Sequence, residues 1–199
     1  MIYNVLFLDI IGHNIEKTMR LEYAIDKNDY LIHQLFLASK SERVKKKRQR
    51  SKTIFLILFL LLSFLWAMKT QYTIASILAI TGILWFFLYP IWERRHYINH
   101  YKAFINENYI GIEGKKATIE LNNEYIVFKD ESSEGRIMTK KIEEIYEIPS
   151  HIFIRLNKAQ SIILPKERIE NIPALIKQLK EITSSAKIRY IRDENWQWK

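Results

Sequence analysis

TIFLILFLLLSFLWAM, residues 53–68, and YTIASILAITGILWFFLYPIW, residues 72–92, are runs without a charged side chain, separated by three residues. Because 27% of the chain is charged, two runs of this length without a charge indicate a specific structural role. At about 1.5 Å per residue, the first run spans roughly 24 Å as a helix, a little less than a hydrocarbon core of about 30 Å, and the second spans it comfortably. Lys52 and Lys69 bracket the first run and can extend it by snorkelling. The pattern predicts two transmembrane helices in a tight hairpin, since the remaining chain is too small to enclose them as core helices.

Basic residues flank the predicted hairpin on one side. RVKKKRQRSK, residues 43–52, has seven basic residues and no acidic one, whereas the connection between the two runs carries only Lys69. The positive-inside rule therefore predicts a multi-pass protein of the inner (cytoplasmic) membrane with both termini cytoplasmic. This basic patch also lies near the anionic headgroups of membrane lipids. It consists of Arg43, Lys45, Lys46, Lys47, Arg48, Arg50, Lys52, Arg94 and Arg95.

The segment before the hairpin, residues 1–52, is expected to be cytoplasmic and to contain a strand and a helix. Residues 17–25 read as the strand, and Asp26 is placed to cap the helix that follows. We expect this helix to run through the basic stretch into the first membrane helix. The first eighteen residues fit no element, so Met19 is an alternative start.

The segment after the hairpin, residues 93–199, is expected to form a small cytoplasmic antiparallel β domain after an initial helix at residues 93–108. Pro90 precedes that helix at the membrane edge, where a break in the helix costs little free energy. Alternating apolar residues and turn signals predict the strands. They are expected at residues 117–121, 124–129, 136–141, 145–148, 151–156 and 161–164, with turns at 130–135 and 157–160.

A closing helix is predicted near Pro173, because apolar residues follow it at spacings of three and four. Residues 187–192 read as a further short strand. We expect the N-terminal strand to join the C-terminal sheet, since a lone strand would expose its edge. The fold class predicted for the whole chain is α+β, with a two-helix transmembrane hairpin and a small β domain closed by a helix.

This order of parts resembles the YcxB-like bacterial membrane proteins. HIFIRLNKAQSIILPKERI, residues 151–169, is the most family-like stretch, and DKNDYLIHQLFLASKSERVKKKR, residues 26–48, is similar to the region before the family's hairpin. The resemblance implies a C-terminal domain similar to bacterial pleckstrin-homology-like folds. It implies no established activity.

Residues that carry chemistry are scarce. The chain has no cysteine, which excludes disulfides, thiolate catalysis and cysteine metal sites. His96 and His100 are one helical turn apart, but no third metal ligand accompanies them. Ser132, Ser133 and His151 could supply a nucleophile and a base, but no motif positions them. We therefore expect no catalytic residue, metal or cofactor, and a protein that is not an enzyme.

Further basic residues fall near strand ends of the β domain. In pleckstrin-like folds such groups can meet phosphorylated headgroups, although solvated lysines interspersed with glutamates are the simpler interpretation. These residues are Lys140, Lys141, Lys158, Lys166 and Arg168.

The function expected is that of a non-enzymatic membrane protein whose cytoplasmic module binds a protein partner, a second copy or the lipid surface. One alternative is an immunity protein that neutralises an antibacterial toxin. Another is a subunit of a membrane enzyme or transporter complex, although neither apolar run has an internal ionisable residue. Nucleic acid is not an expected partner, because the basic stretch lacks interleaved aromatic residues. The tail Trp196-Gln197-Trp198 fits no predicted element.

Overall fold

A computed structural model describes residues 18–109, 111, 114, 116–129, 134–157 and 160–199. The described residues fall into two compact units. One, the β unit, combines the residues up to Asp29 with residues 111–196. The other, the helical unit, combines residues 30–110 with residues 197–199.

The helices and strands confirm the predicted α+β class. The helices are α1 (Lys27–Lys40), α2 (Glu42–Met68), α3 (Tyr72–Asn108) and α4 (Ile172–Ala186). The strands are β1 (Met19–Ala24), β2 (Lys116–Leu121), β3 (Tyr125–Lys129), β4 (Glu134–Met138), β5 (Glu144–Glu147), β6 (His151–Arg155), β7 (Ser161–Pro165) and β8 (Arg189–Arg192).

In the helical unit, α2 and α3 are each long and apolar enough to cross a membrane, which confirms the two predicted membrane helices. They are joined at Lys69–Gln71, where Thr70 adopts a left-handed φ of 60°. Ala75 and Gly82 are buried, and a Cβ added at Gly82 would lie 2.6 Å from the Phe59 Cβ. The missing Gly82 side chain therefore permits close approach of the two helices.

The expectation of one helix running from Asp26 into the membrane is wrong. The chain breaks at Ser41, which has extended backbone angles (φ −76°, ψ 114°). Its hydroxyl accepts a hydrogen bond from the Val44 backbone nitrogen at 3.4 Å, and Glu42 lies in the first turn of α2. A serine cap and an early acidic residue both favour a new helix start, so α2 begins before the basic stretch and contains it.

The break expected at Pro90 is also absent, since α3 continues through it from Tyr72 to Asn108. Proline removes one backbone hydrogen bond from a helix. In an apolar run the surrounding backbone groups have no water to bond instead, so the flanking turns stay helical. Residues 72–92 and 93–108 are therefore parts of a single helix.

In the β unit, the described strands form two four-stranded sheets, ordered β1-β2-β3-β4 and β7-β6-β5-β8. The expectation that the N-terminal strand joins a C-terminal sheet is confirmed, because β1 pairs antiparallel with β2 and Leu21 lies opposite Ile119. The predicted strand at residues 187–192 is β8, which pairs parallel with β5.

Apolar residues from both sheets and from α4 share a hydrophobic core. The predicted spacing of α4 is confirmed, since Leu175, Leu179 and Ile182 are fully buried. Full burial of each such side chain contributes about 1.5–3 kcal/mol. The Asn171 side chain caps α4 by accepting a hydrogen bond from the Ala174 nitrogen at 3.0 Å. The opposite end closes at Lys187, which is left-handed (φ 56°).

Two predicted boundaries in the β unit need correction. Gly135 is not in a turn: it lies in β4 opposite Phe128, whose ring occupies the space that a side chain at residue 135 would need. Residues 139–141 form a short 3-10 helix and not a strand. The Thr139 hydroxyl donates to the Asn123 carbonyl at 2.9 Å, which holds the chain out of the ladder. Residues 130–133 lie outside the described residues.

Candidate functional site

The predicted basic patch lies at one end of the α2–α3 pair and divides into two groups. Arg48 and Lys52 are partly buried, and the Lys52 ammonium lies 3.8 Å from the centroid of the Phe86 ring. The other group is exposed and available to a membrane surface or a partner. It comprises Arg43, Lys45, Lys46, Lys47, Arg50, Arg94 and Arg95.

Arg48 joins α2 to α3 through a buried carboxylate. Its Nε donates to Glu93 Oε2 at 2.9 Å, and the Tyr89 hydroxyl lies 3.4 Å from Glu93 Oε1. Glu93 is only 6% exposed. A carboxylate at such a depth requires a cationic partner, because desolvation of an unpaired charge is unfavourable by several kcal/mol. Arg48 therefore holds the two helices together where their apolar runs end.

The C-terminal tail, which fits no predicted element, packs on the same end of the helical unit. Trp198 is 6% exposed, and its ring centroid lies 5.0 Å from the Arg48 guanidinium carbon and 5.6 Å from the Tyr97 ring centroid. The Trp198 indole N–H donates to the Arg94 carbonyl at 3.4 Å, and Arg48 donates to the Lys199 carbonyl at 2.7 Å. An arginine over an indole is a favourable cation–π contact. Arg48 and Lys199 are 151 residues apart in the chain, so no local pattern predicts this packing.

A pocket of about 270 Å³ opens between α2 and α3 at this end. Lys47 and Ser51 line it from α2, and Trp92, His96 and His100 line it from α3. The His96 ring stacks on the Trp92 ring, with centroids 5.2 Å apart and planes 12° apart. Within the ranges that the structure describes, no group of three His, Asp or Glu side chains could hold a metal ion. The two imidazoles line the pocket together with Lys47 and Glu93.

In the β unit, a second buried polar network centres on Asp29. One carboxylate oxygen of Asp29 lies 3.0 Å from His151 Nε2, and the other accepts a hydrogen bond from Arg168. Arg168 also bonds to Asp26 and to the Ala24 carbonyl. Burial opposes ionisation of Asp29, but hydrogen bonds that include those from His151 and Arg168 outweigh it, so the pKa of Asp29 is lowered. The network fixes the corner between β1 and the first turn of α1.

His151, considered from the sequence as a base, is enclosed by this network. Its Nδ1 lies 2.8 Å from the Ser150 hydroxyl, which gives a Ser–His–Asp chain in the order of a hydrolase triad. However, the imidazole is only 4% exposed and both of its nitrogens are engaged. The geometry therefore supports a structural role. The predicted nucleophiles, residues 132 and 133, lie outside the described residues.

A buried glutamate on β5, Glu147, engages Lys166, which was interpreted from the sequence as a solvated lysine. Glu147 is 3% exposed and accepts hydrogen bonds from Lys166 at 2.9 Å and Tyr190 at 2.7 Å. Burial opposes ionisation of Glu147, but these bonds outweigh it and lower its pKa, and the same carboxylate together with burial raises the pKa of Tyr190. Lys166 and Arg168 thus serve internal ion pairs, whereas Lys140 and Lys141 are exposed. Lys158 lies outside the described residues.

β8 pairs with β5 in a register that places arginines of β8 opposite the glutamates of β5. Glu144 stands opposite Arg189, and Glu147 stands opposite Arg192. Both arginines form ion pairs with the facing glutamates. Arg155 from β6 adds a contact to Glu144 at 2.6 Å. This charge ladder fixes a parallel strand that has only four residues.

Comparison with known families concerns the same β unit. The family model for YcxB-like protein matches residues 121–179. This part of the chain is similar to YcxB-like proteins. No curated protein and no solved structure matches the chain. The matched segment, called here the YcxB-like segment, includes residues 151–169, on which the resemblance was based, and so the predicted resemblance is confirmed there.

The YcxB-like segment begins at the end of β2 and ends inside α4. It contains Glu144, Glu147 and His151 together with the cations Lys166 and Arg168. The helices α2 and α3 lie outside it, as does the region 26–48 that also contributed to the resemblance. The pleckstrin-homology-like character of the segment stays a prediction.

Proposed function

We propose that the chain is a multi-pass protein of the inner membrane, anchored by residues 53–92, with residues 1–52 and 93–199 cytoplasmic. The observation that supports this orientation is the unequal number of basic residues at the two ends of the α2–α3 pair. One end presents seven exposed basic residues, whereas Lys69 is the basic residue at the other end. Cytoplasmic ends of membrane helices carry such an excess of lysine and arginine.

We further infer that the β unit is a non-catalytic binding module. Among the described residues of the β unit, each buried carboxylate, namely Asp29, Glu144 and Glu147, pairs with an arginine or a lysine. A general acid or base needs access to a substrate and a pKa near the working pH. Enclosed carboxylates whose pKa values are lowered, as for Asp29 and Glu147, favour a scaffold. The module then acts through its surface, on a protein partner, a second copy or the lipid bilayer.

The topology is tested by labelling single cysteines, because the chain has none of its own. Thr70→Cys places a thiol in the helix connection, and Arg43→Cys and Lys102→Cys place one at the basic end. A membrane-impermeant maleimide applied to intact spheroplasts should label only Thr70→Cys, and permeabilised cells should label all three. External labelling of Arg43→Cys or Lys102→Cys would overturn the proposed orientation.

The binding role is tested by affinity capture of the tagged full-length protein from mild detergent, beside a chain truncated after Lys102. A partner held by the full chain and lost on truncation supports a binding module. A captured toxin would identify an immunity protein, and a captured membrane enzyme or transporter would identify a subunit of that complex. Recovery of the full chain without a partner or a second copy contradicts binding to protein.

A further inference from the structure

The pocket between α2 and α3 lies at the depth of lipid phosphates if the apolar runs occupy the hydrocarbon core. At about 1.5 Å per residue, Ser51 stands about 3 Å, and Lys47 about 9 Å, beyond the start of the first apolar run at Thr53. His96 stands about 6 Å beyond Trp92, where the second run ends. The headgroup region is roughly 5–8 Å thick on each side of the core. The lining residues therefore bracket this layer.

The pocket offers donors that suit a phosphate oxygen. Lys47 is exposed and has no carboxylate partner in the part of the chain that the structure describes. His96 and His100 add imidazole nitrogens one helical turn apart. Glu93 also lines the pocket, but its charge is compensated by Arg48 at 2.9 Å. The net charge facing an entering anion is therefore positive.

The shape of the pocket favours a phosphate that is carried by a lipid. Trp92 forms one wall and is 51% exposed at the end of the apolar run. An indole at this depth suits the boundary between headgroup and acyl chain. A volume of about 270 Å³ lies at the lower limit for small-molecule pockets and fits a headgroup in place of a whole lipid.

We propose that this pocket binds the phosphate group of an anionic phospholipid, with Lys47 and His96 as the contact residues. The site is distinct from the general attraction of the exposed basic patch, which needs no pocket. The assignment of the phosphate to a lipid rests on the proposed membrane insertion. The binding of a phosphate to the pocket does not, since it is measured in detergent.

The test compares two double variants of the delipidated full-length protein. Lys47→Gln with His96→Gln removes the pocket donors. Lys46→Gln with Arg95→Gln is the matched control, because it removes at least as much positive charge from exposed neighbours outside the pocket. Native mass spectrometry in detergent measures binding of phosphatidylglycerol, phosphatidylcholine and, as separate additions, glycerol 3-phosphate and inorganic phosphate.

We expect phosphatidylglycerol to bind more tightly than phosphatidylcholine, and the pocket variant to lose about tenfold or more in affinity while the control loses less than about threefold. Lys47→Arg, which keeps the charge, should retain binding. Pocket-dependent binding of glycerol 3-phosphate or inorganic phosphate in place of the lipid would support the phosphate site and overturn its lipid source. Equal losses in the two double variants, or no preference for phosphatidylglycerol over phosphatidylcholine together with no binding of the two soluble phosphates, would overturn the site.

Two checks distinguish loss of phosphate binding from loss of folding and from a wrong membrane orientation. Tryptophan fluorescence during thermal unfolding shows whether the pocket variant retains the folded helical unit, since Trp85 and Trp92 report on it. His96→Gln alone provides a milder variant that should lose part of the affinity. Cysteine labelling can fail while lipid binding succeeds, so the pocket and the proposed orientation are tested independently.

Discussion

Arg48 Nε lies 2.9 Å from Glu93 Oε2, and this ion pair joins α2 to α3 at the level where both apolar runs end. The Glu93 side chain is 8% exposed, and that of Arg48 is 23% exposed. The pair therefore sits in a poorly hydrated environment, in which each charge depends on the other.

The first prediction concerns this pair. Arg48→Met should destabilise the full-length protein by about 3 kcal/mol, because it leaves a buried carboxylate without its cation. The measurement is unfolding in detergent, followed by tryptophan fluorescence. Adding Glu93→Gln to Arg48→Met should recover most of the loss. Arg50→Met, on an exposed site of the same helix, should change stability by less than about 0.5 kcal/mol. An Arg48→Met variant as stable as the Arg50→Met control would show that the pair does not stabilise the helices.

The contact between Gly82 and Phe59 leads to a second prediction. Gly82→Ala should destabilise the helical pair by about 1–3 kcal/mol, because the added Cβ would meet the Phe59 Cβ at 2.6 Å. Thermal unfolding in detergent measures the effect. Ser76→Ala, at an exposed position of α3, is the control and should be neutral. A Gly82→Ala variant more stable than the parent protein would mean that the helices do not approach closely there.

A pH dependence follows from the Asp29 network. Because the folded-state pKa of Asp29 lies below its ordinary value of 3.8, the carboxylate stabilises the fold fully above that value. This contribution is lost as the pH falls through the lowered pKa. Asp29→Asn should therefore be less stable than the parent protein at neutral pH, and the difference should shrink on acidification. Melting temperatures at a series of pH values test this prediction.

The control for the pH series is Glu22→Gln, at an exposed surface pair, which should follow the parent curve. Glu147 also has a lowered pKa, so the Asp29→Asn variant should keep part of the acid sensitivity. A difference between Asp29→Asn and the parent that stays constant down to strongly acidic pH would contradict the assignment to the Asp29 carboxylate.

The charge ladder between β5 and β8 yields the fourth prediction. Glu147→Gln removes the charge that Lys166 and Arg192 face, so β8 should open more often. Amide hydrogen exchange at residues 189–192 should accelerate about tenfold, which corresponds to about 1.4 kcal/mol. Hydrogen-exchange mass spectrometry of the full-length protein measures it. Glu120→Gln removes a more exposed partner of Arg20 and should leave this exchange unchanged. Unaltered exchange of β8 in Glu147→Gln would show that backbone pairing alone holds the strand.

Local patterns in the sequence predicted most of the elements. Two charge-free runs indicated α2 and α3, and apolar residues at spacings of three and four indicated α4. The break at Ser41 was missed because helix periodicity on both sides outweighed one capping residue. The continuity of α3 through Pro90 was missed because a helix break at the membrane edge was judged inexpensive.

The internal pairings of charge were harder to predict, because they join residues that are far apart in the chain. Glu147 and Tyr190 are 43 residues apart, and Asp29 and His151 are 122 residues apart. Helical and strand periodicities reveal which face is apolar, but not which buried carboxylate meets which cation. The packing of the C-terminal tail on Arg48 was hard to predict for the same reason, since Arg48 and Lys199 are 151 residues apart.

The continuity of α3 has a mechanical consequence. At about 1.5 Å per residue, this helix of 37 residues is about 55 Å long, and about 24 Å of it extends beyond Trp92. Membrane helices adapt to bilayer thickness by tilting, and a tilt of about 10° would move the end of such an extension sideways by roughly 4 Å. An unbroken helix of this length would therefore transmit a tilt of its apolar part to Asn108, in the manner of a lever.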